Sequence, residues 1–167
     1  MIQTGPRAPA TDVGSSDGPV CTLNEKEAAV AALMATHPDQ RRASLTCDPI
    51  LASVARQRAE DMARRGYFDH VTPEGYGPNY LVKQAGYQLL SWYDQRPDAN
   101  NLESIAAGYD MPDEAFAAWM DSEFHRIHLL GLNSFYADQV MYGIGYFYLE
   151  ESPYGHYWVV LTAPKPE

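Results

Sequence analysis

After Gly131 the apolar residues change period, and that change limits the possible folds more than any other feature of the chain. Before it, apolar residues recur at three- and four-residue spacing, as on one face of a helix. After it, Gln139 to Leu149 alternates around Gly143 and Gly145, and Tyr154 to Ala163 is dense in Tyr, Trp and Val. Two such runs separated by Glu150 to Pro153 read as a hairpin-like pair of strands with a loop longer than two residues. Helices early and strands late imply an α+β fold, with helices layered on an antiparallel sheet. At 167 residues the chain has the length of one domain. A domain of that size buries roughly 70% of its unfolded surface and can sustain its own core.

Helix ends are marked in the sequence. Asn24 caps a first helix with Glu27 as its capping-box partner, and His37-Pro38 ends it. Asp48 caps a second helix, Pro49 opens it and Gly66 closes it. Between these caps Leu51, Val54, Ala55, Arg58 and Met62 recur at helical spacing, with Arg56, Glu60, Asp61, Arg64 and Arg65 mostly on the other side. A short helix is expected from about Asn79 to Gly86, a strand over Leu89 to Tyr93, and a polar loop over Gln95 to Asn101. A third long helix opens at Asp110 or Met111, with Asp113 and Glu114 suited to its positive end, and runs to near Gly131.

Charge and thiols narrow the partners. The formal charge of −10 disfavours phosphate backbones and anionic lipid surfaces, so neither nucleic acid nor electrostatic membrane binding is expected. No apolar run approaches the roughly 20 residues of a transmembrane helix. The two cysteines, Cys21 and Cys47, are not in a Cys-x-x-Cys pair, which argues against a thiolate zinc site. Each precedes a helix, and an antiparallel helix pair would bring them together as a disulfide, which suits an oxidising compartment. Two free buried thiols are the alternative. Residues 1–19, rich in Gly, Pro, Ser and Thr and without an apolar core, read as a tail or linker, leaving 20–167 as the single domain.

Six segments stand out in order along the chain. The first is Arg58-Ala-Glu-Asp-Met-Ala-Arg-Arg-Gly-Tyr-Phe-Asp-His70, a helix with a Phe-x-His exit. Next come Thr72-Pro73-Glu74-Gly75 with Pro78 and Ala85-Gly86-Tyr87, then Asn101-Leu-Glu-Ser-Ile-Ala106. Pro112-Asp-Glu-Ala-Phe-Ala-Ala-Trp119 with Ser122 and His125-Arg126 follows, then Gly143-Ile-Gly-Tyr146 and Tyr157-Trp158-Val159. Together these segments resemble the CAP superfamily, also called SCP-like domains, in its bacterial form, and the likeness covers about Leu23 to Ala163. The sequence departs from the family pattern at Leu102 and Ser104, where glycine and asparagine usually flank the glutamate. It departs again at His128, in place of asparagine, at Val160, in place of glutamine, and in a longer loop before Glu103.

The resemblance implies a three-layer α-β-α sandwich with a central cleft of histidines and glutamates that in some members holds zinc or another divalent ion. It carries over His70, Glu103 and His125 as the metal or catalytic candidates. His156, in Gly155-His156-Tyr157, is a fourth if that segment aligns with the eukaryotic Gly-His-Tyr. Anchoring on Tyr157-Trp158 instead turns His156 to the opposite sheet face. Imidazole and carboxylate suit a divalent ion and general acid–base work equally. A hydrogen-bonded structural cluster accounts for the same residue types, and surface or packing roles account for His128 and His37. The function expected first is a secreted binding or interaction module, its extracellular ligand a protein, glycan or lipid, with a divalent ion in the cleft. Two others stand beside it. One is a hydrolase, metal-assisted or built on Ser122 or Ser104 with His70 or His125, although no Gly-x-Ser-x-Gly elbow is present. The other is a carrier of small apolar ligands.

Overall fold

The structure, a computed structural model, describes residues 21–167; the tail expected over 1–19 lies outside the described residues. Helix α1 (Glu25–Ala35) is followed by a two-residue strand β1 (Thr46–Cys47), helix α2 (Pro49–Arg65) and helix α3 (Pro78–Gln84). Strand β2 (Glu103–Ala107) precedes helices α4 (Pro112–Asp121), α5 (Glu123–Leu130) and α6 (Ser134–Ala137). Strands β3 (Met141–Tyr148) and β4 (His156–Ala163) complete the chain. The capping signals hold. Asn24 and Glu27 form the reciprocal capping box of α1, the Asp48 carboxylate accepts from the amides of Ile50 and Leu51, and Gly66 ends α2 at φ 69°.

The four strands lie in the order β1-β3-β4-β2. β3 pairs with β4, and β4 with β2, in antiparallel register, Glu103 opposite Leu161 and Tyr148 opposite His156. The sheet is not wholly antiparallel as expected: β1 pairs in parallel with β3, Thr46 opposite Met141. The cause is the return of the chain from α1, which lays β1 alongside β3 immediately before α2 begins.

Alternation along β4 divides the core between two helical layers. Tyr157, Val159, Leu161 and Ala163 face α2 with Leu51, Ala55, Ala59 and Met62. Trp158 and Val160 face the other way, against Val30, Met34, Phe116 and Trp119 of α1 and α4. Burying side chains of this size stabilises by about 1.5–3 kcal/mol each. The two indoles also satisfy their polar edges, Trp119 donating to the carbonyl of Ile105 at 2.9 Å and Trp158 to that of Tyr109 at 2.7 Å. This is the α-β-α sandwich that the family resemblance implied.

Two expected elements differ. Leu89 to Tyr93 is irregular rather than a strand: it has no strand partner, and Tyr87, Leu89 and Tyr93 are instead tucked into the core beside α2. The third long helix is broken. Ser122 takes extended backbone angles, φ −101° and ψ 121°, and divides it into α4 and α5. The break redirects the chain so that α4 packs on α1 while α5 reaches β2. At the end of α5, buried Arg42 donates to the carbonyls of His128 (2.7 Å), Leu129 (2.8 Å) and Tyr136 (3.0 Å). A cation there suits the negative end of the helix dipole, although burial pushes the Arg42 guanidinium down to about 10.

Gly143 and Gly145 set the spacing between α2 and the sheet. A Cβ on Gly143 would lie 2.2 Å from the Ala52 nitrogen, and one on Gly145 2.2 Å from the Ala55 carbonyl carbon. The helix backbone therefore rests directly on β3. Gly145→Ala is expected to destabilise the domain by about 3 kcal/mol, since backbone rather than a flexible side chain must move. Urea denaturation checks this, and a midpoint equal to wild type would contradict the packing.

Cys21 and Cys47 form a disulfide with Cα atoms 5.9 Å apart. It joins the chain ahead of α1 to β1, as the helix-pair argument expects. Cys21→Ser/Cys47→Ser is expected to lose roughly 3–4 kcal/mol, the loop-closure value for a 26-residue separation. Denaturant titration of the double variant beside the oxidised protein provides the measurement.

Candidate functional site

The site grows from one arginine on the apolar stripe of α2. Arg58 is 2% exposed, and it reaches Glu103 at the start of β2. Its Nε donates to Glu103 Oε2 and its Nη2 to Oε1, each at 2.9 Å. Two further donors go to the Tyr67 hydroxyl (2.8 Å) and the Asp69 carbonyl (2.6 Å), so each guanidinium nitrogen has a partner. Burial alone would raise the Glu103 carboxyl. The hydrogen bonds from Arg58 and His70 outweigh it and hold the group below the usual carboxylate range. A buried charge pair of this kind persists because each partner is hydrogen-bonded, and removing one would strand the other at a cost of about 3–5 kcal/mol.

His70 leaves α2 through the Gly66 turn and meets Glu103 from outside, its Nδ1 2.9 Å from Oε1. An ionised carboxylate can only accept, so Nδ1–H is the donor. The tautomer is thereby fixed, and in the neutral ring the lone pair lies on Nε2, on a side chain 38% exposed. The longer loop before Glu103 is pinned on both sides. Asn100 Oδ1 accepts from the amides of Leu102 (3.1 Å) and Glu103 (2.9 Å). Buried Asn79 exchanges hydrogen bonds with Asn101, tying the loop to α3.

His125 sits in the first turn of α5, its Nδ1 sharing a hydrogen bond of 2.7 Å with Ser122 Oγ. Burial, and after it the charge of nearby His70, hold the His125 imidazole below its ordinary value. The fold brings His70 onto Glu103 at the β2 edge of the sheet, while the side-chain hydrogen bond of His125 goes to Ser122. The fold does not bring His156 to that edge. That residue lies on the opposite sheet face from Leu161, the partner of Glu103, and five residues along β4. There its Nδ1 shares a hydrogen bond of 2.6 Å with the Tyr146 hydroxyl, and its ring stacks on Tyr148. The register anchored on Tyr157-Trp158 is the one adopted.

The expected three-ligand divalent centre does not fit this arrangement. Both Glu103 oxygens are occupied by Arg58 and His70, so the carboxylate orients an imidazole rather than offering a ligand. Among the described residues, no three His, Cys, Asp or Glu side chains gather closely enough to hold a metal ion. The serine-type arrangements are also incomplete. Ser104 is 1% exposed and out of reach of a substrate. Ser122 is paired with His125, but no carboxylate orients that imidazole among the described residues.

On the other face of β2 lies a buried polar chain. Gln139 Nε2 donates to the Asn101 carbonyl (2.9 Å), which turns its Oε1 toward the Thr162 hydroxyl at 2.6 Å. Thr162 donates there and so accepts from His128 Nε2–H at 2.6 Å. His128 Nδ1 then accepts from the Ser104 hydroxyl at 2.6 Å. Two departures from the family pattern, Ser104 and His128, are thus partners. The packing role expected for His128 is the one it has.

Residues 38–161 match the profile of the cysteine-rich secretory protein family, CAP, and the chain belongs to that family. It is 34% identical over 89 residues to the uncharacterized protein YkwD of Bacillus subtilis (strain 168), covering 53% of this chain and 31% of that protein. An extracellular protein containing a SCP domain from Bacillus anthracis str. Ames superposes with a TM-score of 0.63 at 22% identity, over 85% of this chain and 41% of that one. An outer surface protein from Borrelia burgdorferi superposes with a TM-score of 0.58 at 20% identity, over 87% of this chain and 99% of that one. The chain therefore spans less than half of either Bacillus protein. The two superpositions speak for the fold.

His128 makes acid stability testable. Burial, reinforced by the Arg42 charge, pushes its imidazole down to about 3. Between that value and its unfolded value near 6.5 the unfolded chain binds the extra proton, so stability falls as pH falls. The expected slope is about 1.4 kcal/mol per pH unit from this group below pH ~6. Denaturant curves from pH 7 to 4 should show His128→Asn with a shallower dependence than wild type. Parallel dependences would mean that His128 binds its proton equally well in the folded and the unfolded chain.

Proposed function

We propose that this domain is a secreted binding module whose ligand engages the imidazoles of His70 and His125. The observation that carries the reading is the Arg58–Glu103–His70 chain. It fixes one tautomer and leaves Nε2 of a partly exposed ring as a directed acceptor, while compensating the carboxylate behind it. Phe124, next to His125 in α5 and 86% exposed, offers an apolar surface on the same helix. Relatives described as extracellular or outer-surface proteins support the compartment, and the disulfide accords with it. No helix among the described residues is long and apolar enough to cross a membrane.

Immobilised wild type and a His70→Ala/His125→Ala variant, challenged with an extracellular extract of the source organism, test the reading. A component retained by wild type and lost from the variant is expected; equal retention would overturn it. Calorimetric zinc titration separates this reading from a metal centre. Binding is expected to be weak and the same in wild type, His70→Ala and His125→Ala. Strong binding abolished by either substitution would restore the metal. A phosphonylating serine probe that labelled Ser122 would move the reading to a hydrolase.

One observation favours apolar-ligand carriage as a second reading. A groove of about 430 Å³ between α1 and α4 is lined mainly by Ala29, Ala32, Leu33, Met111 and Pro112. Fluorescent fatty-acid binding that Ala32→Trp abolishes would support it, and an unchanged titration would count against it.

A further inference from the structure

A second groove runs along the opposite flank of the domain, between α2 and α3. Its volume is about 600 Å³, within the range of about 300–1,000 Å³ typical of small-molecule sites. Ser53, Gln57 and Asp61 rise from α2 at four-residue spacing along one wall, and Gln84 stands on the other. Arg58 also lines the groove, and its guanidinium holds Glu103, the partner of His70.

We infer that this groove binds a neutral, hydroxyl-rich ligand: a short uncharged oligosaccharide. Both charged groups in it are already compensated from within. Arg58 is held by Glu103, Tyr67 and the Asp69 carbonyl. Asp61 accepts from the Tyr67 hydroxyl at 2.5 Å and pairs with Arg65 at 2.9 Å. A charged ligand therefore finds no unpaired counter-charge.

The groups that remain are of mixed character. Gln57 and Gln84 are exposed amides that both donate and accept, and Ser53 is an exposed hydroxyl that does the same. Gln57 Nε2 already leans on Ser53 Oγ at 3.2 Å, which orders the pair along the α2 wall. Vicinal hydroxyls, each donor and acceptor, are the matching chemistry. Val54, Leu81 and Ala85 add apolar lining, which suits the C–H face of a sugar ring. Close in the chain to the lining residues Thr72 and Leu81, Tyr76 and Tyr80 stack with centroids 4.2 Å apart and planes 11° apart. Tyr76 is joined to Thr72 through its amide, and Tyr80 stands one turn before Gln84 on α3. A flat aromatic pair beside a polar groove whose charges are internally compensated suits ring stacking better than an extended peptide.

The test is a titration of ¹⁵N-labelled protein with cellotetraose and with tetra-N-acetylchitotetraose at several millimolar, followed by amide shifts. At least one is expected to perturb amides of residues 53–61 and 80–85, with affinity falling about tenfold or more in Gln57→Ala/Gln84→Ala. Both side chains are exposed, so the unfolding midpoint of the variant should match wild type and show the loss to be local. A sulfated tetrasaccharide of the same backbone should bind more weakly. Silence with both neutral sugars overturns the proposal. So do equal affinity in the variant, stronger binding of the sulfated sugar, and stronger binding of an uncharged tetrapeptide.

Discussion

Direct contact between the α2 backbone and β3 underlies the rest of this domain. Two glycines on one strand face remove the side-chain layer that normally separates helix from sheet, so α2 sits low and cannot slide. Leu51, Ala55, Ala59 and Met62 then pack under it, and Arg58 emerges at the one height from which its guanidinium meets both oxygens of Glu103. With α2 farther from the sheet, that buried carboxylate would lose its partner and His70 its fixed tautomer. Helix position, ion pair and imidazole orientation are consequences of a missing Cβ.

The alternation of β2 adds a second layer of organisation. Glu103 points to the α2 side and its neighbour Ser104 to the α5 side, so consecutive residues root two polar systems back to back. One is ionic and opens to solvent through His70. The other is neutral, sealed, and ordered hydroxyl to imidazole to hydroxyl to amide. Neither leaves a buried side-chain polar atom unpartnered among the described residues. Low dielectric strengthens satisfied hydrogen bonds and penalises orphans, which favours such completeness in a core.

Much of this is legible in the sequence because it is local. The capping residues of α1 and α2, the change of period and the spacing of the two last strands depend on neighbours a few positions apart. The break at Ser122 is not legible: Pro112 to Leu130 carries continuous helical periodicity, and only the packing of α4 on α1 and of α5 on β2 requires a bend. The meeting of His70 and Glu103 is a tertiary event, reached through the family resemblance rather than through spacing. The role of Glu103 is hidden in its own segment, because a carboxylate among histidines looks like a ligand until its cation is known. One signal does exist: Arg58 sits among Leu51, Val54, Ala55 and Met62 on the apolar stripe, and a cation there demands a buried anion. The place of His156 is decided by register, which one residue of slip would have reversed.

The disulfide also fixes how the domain bears mechanical load. Tension arriving through the chain ahead of Cys21 divides at that residue, and the covalent branch carries it straight to Cys47. From there it enters β1, paired to β3, and the capped start of α2. The loop containing α1 is closed by the sulfur bridge and is shielded from the pull. A tether on that side would therefore tug on the sheet rather than peel a helix away, and reduction of the bridge would make α1 the first element to yield.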